Sequence, residues 1–114
     1  MTNREAIIGE IEPYSLSDDS VDKAFIDAAG RLKSFGDVDS EYDYSMKQVV
    51  ALASMLCLNR LRVLSSENIG GISQNFNVSK LEKRIAAIAN EAGLSAELIL
   101  ADDSDTSVTY MNIW

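Results

Sequence analysis

The sequence predicts a mainly α protein: a small helical bundle of about four helices, with a β-hairpin or extended arm between the last two long helices and an extended C-terminal tail. Three observations predict it. Apolar residues recur at spacings of three and four through most of the chain, the period of a helix with one buried face. The 114 residues are 46% apolar and 25% charged, an ordinary globular balance that supplies one core. The helical period is broken twice, over 65–79 and after residue 100. The chain thus divides into a helical domain, 1–100, carrying the arm at 65–79, and an acidic hinge with an apolar tail, 101–114.

In chain order, Thr2 or Asn3 caps a first helix with Ala6, Ile7, Ile8 and Ile11 as its apolar members, and Pro13 stops it. Ser17, Asp18, Asp19 and Ser20 supply caps and acidic first-turn residues for a second helix. Its inward stripe is Val21, Ala24, Phe25, Ala28, Leu32 and Phe35, with Gly36 as C-cap. Residues 37–43 are a polar connector or the start of the next helix. The third helix is the longest, from about Glu41 to Leu64. Met46, Val49, Val50, Ala53, Leu56, Cys57 and Leu61 face inward, and Leu52 and Leu58 widen the stripe. A helix apolar around much of its girth is central in a bundle, and Arg60 and Arg62 near its end suit the helix dipole.

Over 65–79 the pattern changes. Ile72, Gln74, Phe76 and Val78 alternate with Ser73, Asn75 and Asn77, and the Gly70-Gly71 pair can turn the chain. A fourth helix follows from about Ser79, with Leu81, Ile85, Ile88, Ala89 and Ala92 inside and Gly93 closing it. Ser95 caps a brief turn over Ala96 to Leu100. Asp102, Asp103 and Asp105 mark the hinge, and Val108 to Trp114 have strand-like composition.

Ten basic against eighteen acidic residues give a net charge of −8. That balance argues against gripping nucleic acid or an anionic membrane, since both rely on Lys and Arg. The charge is polarised: residues 1–46 carry −7, residues 47–92 carry +3 and residues 93–114 carry −4. If these fall on opposite surfaces, identical copies attract head to tail, and a closing rotation makes a ring; otherwise they are solvated helix faces. There is no His, so the usual general base and commonest metal ligand are missing. A lone Cys57, no signal-like N-terminus and no apolar run near 20 residues point to a reducing, aqueous compartment.

Each chemical motif has a plainer explanation. Cys57, between Leu56 and Leu58, is a buried small residue before it is a nucleophile. Asp37, Asp39, Glu41 and Asp43 suggest a calcium loop, but its sixth and twelfth positions hold Tyr42 and Gln48 where Gly and Glu belong. The loop from Asp103 fails the same test at Val108 and Trp114. Gly70-Gly71 lacks the Lys and spacing of a phosphate loop, and Asn77-Val78-Ser79 fits a glycosylation acceptor by coincidence. No catalytic, cofactor-binding or metal-binding residue is predicted, so the chain is read as a non-enzyme. Two segments stand out for interaction: the arm, with Ile69, Gly70, Gly71, Ile72 and Phe76, and the tail, with Tyr110, Met111, Ile113 and Trp114. Spare apolar and aromatic residues of this kind mark partner surfaces, unless each segment folds back to cap its own core.

The run Ser66-Glu67-Asn68-Ile69-Gly70-Gly71-Ile72-Ser73, between a long central helix and a final one, resembles the head–tail connector (adaptor, head-completion) proteins of long-tailed bacteriophages. Members of that family commonly carry a Ser-Glu-Ser-Ile-Gly-Asp/Gly-x-Ser-like run there. The resemblance covers roughly residues 17–93; the acidic hinge and apolar tail depart from it. It implies a structural virion protein of a phage or prophage at the head–tail interface, assembled in the host cytoplasm. It implies a homo-oligomeric ring, often of twelve copies, under the portal protein and above the next tail or stopper ring. DNA would be transiting cargo, and an acidic lumen would keep it from sticking. The arm residues would make the main assembly contact. The competing expectations are a small acidic adaptor or regulator that binds one protein through its C-terminal tail, and a carboxylate-based enzyme.

Overall fold

A computed structural model describes residues 1–66 and 78–99, with the side chains of 65, 66 and 98 set aside. Within them lie four helices: α1 (Asn3–Ile11), α2 (Asp18–Leu32), α3 (Lys47–Ser66) and α4 (Val78–Ala92). Short 3-10 turns at Tyr44–Met46 and Ala96–Leu98 precede α3 and follow α4. No strand occurs among the described residues; one isolated antiparallel bridge joins Thr2 and Glu41. The mainly α, four-helix expectation holds. The hairpin or arm is predicted over 65–79, but helices take its first two and last two residues, and 67–77 lie outside the described residues. So do the boundary after residue 100 and the tail.

α1 starts in a capping box. The Thr2 hydroxyl accepts from the Glu5 N–H at 3.2 Å, and the Glu5 carboxylate accepts from the Thr2 N–H at 2.8 Å. Ala6, Ile7 and Ile11 are buried, whereas Ile8 turns outward. α2 is capped by Ser17, whose Oγ accepts from the Ser20 N–H at 3.2 Å, a contact worth about 1 kcal/mol in helices generally. Asp18 and Asp19 sit in its first turn, as the dipole favours.

α2 ends at Leu32, four residues before the glycine expected to cap it. Lys33 adopts the left-handed conformation at φ 55°, and the N–H groups of Lys33 and Ser34 bond back to Gly30 and Ala29. Gly36 serves instead a close approach: a Cβ there would lie 2.9 Å from Met46 Sδ and 3.8 Å from Phe25 Cζ. Phe35, expected inward, is therefore beyond the helix and 76% exposed.

The third helix starts at Lys47 rather than Glu41 because 37–42 spend their backbone elsewhere. Asn3 N–H donates to Ser40 O, Arg4 N–H to Val38 O and Tyr42 N–H to Met1 O, at 2.8–3.0 Å. Asn3, buried, adds a side-chain bond from Nδ2 to Asp37 O at 2.8 Å. Arg4 fastens the same corner with both Asp22 oxygens and Asp39. The Asp43 carboxylate accepts from the Ser45 N–H and hydroxyl, opening the 3-10 turn into α3.

α3 packs on α1, α2 and α4 and is the axis of the core. Val49, Val50, Leu52, Ala53, Cys57, Leu58 and Leu61 are buried as the pattern implies, Leu56 is half-buried, and Met55 and Ser54 are fully buried as well. Ser54 is satisfied by its own helix, donating to Val50 O at 2.8 Å. Because α3 continues to Ser66, Arg60 and Arg62 fall short of its last turn. Arg62 instead crosses to α4, pairing with Glu82 at 3.2 Å. α4 buries Leu81, Ile85, Ile88, Ala89 and Ala92, the five positions its period selects. Gly93 closes it at φ 75°, and the Ser95 side chain caps the turn that follows.

Candidate functional site

Ile69, Gly70, Gly71, Ile72 and Phe76 of the arm, and Tyr110, Met111, Ile113 and Trp114 of the tail, all lie outside the described residues. In the sequence the first set lies between the end of α3 and the start of α4, and the second follows Ile99, which is buried. Leu64, in the last turns of α3 before the arm, is 54% exposed.

At the opposite end of α3 the surface is concave. A groove of about 570 Å³ is lined by Leu32 and Ser34 from the end of α2, by Tyr44, Lys47 and Val49 at the start of α3, and by Asn90 to Gly93 at the end of α4. Gln48 ties two of these walls together, its Nε2 donating to Ala92 O at 2.9 Å. Tyr44 is 83% exposed on the rim, with the Lys47 ammonium 5.6 Å from its ring centre. Glu91 is the single carboxylate on the lining. The sequence pattern alone does not find this groove. Its walls come from three separate stretches, and Tyr44, near the start of the expected third helix, is not on that helix's inward stripe.

Cys57 is 2% exposed, and burial pushes its thiol up to about 11, with Arg60 pulling weakly the other way. At pH 8 only about one thiol in a thousand is then thiolate, the reactive form. Native protein should resist iodoacetamide at that pH and become reactive on unfolding, which mass spectrometry of the alkylated chain reads directly. A raised thiol pKa also favours the folded state below the unfolded value near 9 and withdraws that support as pH climbs through 11. Among the described residues no group of His, Cys, Asp or Glu is arranged to hold a metal ion, and no helix is long and apolar enough to cross a membrane.

The acidic and basic stretches meet partly within one chain. Arg84 of α4 reaches Glu10 of α1, at 3.1 Å from Oε1 and 3.2 Å from the main-chain oxygen. Some of the charge separation counted along the sequence is therefore closed inside the bundle.

A model of a family of unknown function, DUF6706, matches residues 1–114. The chain belongs to the DUF6706 family. No curated protein and no solved structure matches it. For this DUF6706 member, function has to be argued from the bundle and its segments.

Proposed function

We propose that the chain is a structural protein of a phage or prophage particle, a head–tail connector that forms a ring under the portal and lets DNA pass. The observation that carries this reading is the Ser66–Ser73 run and its place: it begins on the last residue of α3 and ends before α4, between the central and final helices. That is where connectors keep the segment with which they assemble. The small bundle supports it too. α3 packs against α1, α2 and α4, and beyond these helices the sequence carries further apolar residues in 69–76 and 108–114, which the reading assigns to neighbours. The net charge of −8 suits a wall that DNA slides past.

Deleting residues 106–114 separates this role from that of an adaptor working through its tail. A connector should still form rings on a portal after the deletion, measured by size-exclusion chromatography with light scattering. Loss of all partner binding with self-assembly untouched would favour the adaptor.

A further inference from the structure

The groove at the start of α3 is open and partly apolar, with Tyr44, 83% exposed, on its lining. Large exposed aromatic groups beside a concavity of this size are what a binding surface presents. The chain holds a segment suited to it. Val108 to Trp114 carry Tyr110, Met111, Ile113 and Trp114, behind the acidic run Asp102, Asp103 and Asp105. We propose that the groove is the docking site of this chain's own C-terminal segment, 108–114.

Reach favours it. The turn at Ala96–Leu98 packs on α4, whose end forms one groove wall, and Ile99 lies only six residues past the lining residue Gly93. From Ile99 to Val108 there are nine peptide steps, which span up to about 30 Å. A segment tethered that closely meets its own groove at a high effective concentration, ahead of any second copy in dilute solution. Lys47 is the one cation on the lining, against the one carboxylate of Glu91, so the lining carries no net charge to repel the three aspartates. Leu32 and Tyr44 offer apolar and aromatic surface to Met111, Ile113 and Trp114. The docking concerns the chain before any partner binds, and it does not rest on the connector reading.

Trp114 is the one tryptophan in the sequence, so its fluorescence reports on the segment alone. The full-length folded chain should show blue-shifted Trp emission and several-fold weaker acrylamide quenching than the unfolded chain, at every protein concentration. Tyr44→Ala and Lys47→Glu alter the groove surface while leaving the buried core in place, and each should return the emission toward its solvent-exposed position with the helical melting unchanged. Solvent-like emission in the folded wild type would overturn the proposal. So would a blue shift that grows with concentration, which places the segment on a second copy, or one that neither substitution moves, which places it elsewhere on the bundle. Ring formation on a portal is read separately, so failure here and failure of the connector reading are distinguishable.

Discussion

Replacing Phe25 with Ala is expected to lower unfolding stability by about 3–5 kcal/mol, the usual range for deleting a fully buried aromatic ring. Phe25 is 1% exposed and is among the largest fully buried side chains of the bundle. It sits on the face of α2 with Val21 and Ala28 and lies close to Gly36 where the connector passes. A domain of this size has only about 5–15 kcal/mol in hand, so the variant should be partly unfolded at moderate temperature. Phe35→Ala is the matched control. At 76% exposure it should change stability by no more than about 0.5 kcal/mol. Urea unfolding followed by circular dichroism gives both values, with an unchanged m showing that the comparison is fair. Equal losses in the two variants would mean that α2 continues past Lys33 and buries both rings.

The second large effect concerns assembly. On the connector proposal, Ile72→Asp with Phe76→Asp should weaken ring formation roughly a thousandfold, taking two anchors at about 2 kcal/mol each. Both residues fall between α3 and α4 in the sequence, and the proposal gives them a neighbour's contact and no part in the bundle's own core. The melting of the bundle should therefore stay where it is. Analytical ultracentrifugation of wild type and variant with a portal present, paired with thermal melting of each chain alone, separates lost assembly from lost folding.

Much of the bundle was legible because its determinants are local. The five inward residues of α4, the Ser17 and Ser95 caps, the halt before Pro13 and the closing Gly93 each depend on neighbours within a few positions. Local pattern failed where distant chain decided the outcome. Residues 37–42 pair with the N-terminus instead of winding into α3, and no spacing within them announces it. A glycine after a helical stripe usually caps it, but here Lys33 takes that role and Gly36 leaves room for Met46. Met55 escaped the predicted stripe because α3 is enclosed on more sides than one face requires. Ile69, Ile72, Phe76 and the residues of 110–114 stand out in the sequence by composition alone, apolar side chains in stretches without a helical period, and they lie outside the described residues. The groove was invisible to pattern for the opposite reason: its walls are individually ordinary and acquire meaning only when α2, α3 and α4 converge.

The most direct test of the connector reading is to mix the 114-residue chain with the portal protein of the phage or prophage to which the reading assigns it and image the product by electron microscopy. The reading predicts closed rings of this chain seated coaxially on the portal. Free monomers beside bare portals at high concentration, with residues 65–79 already protected from hydrogen exchange in the monomer, would contradict it.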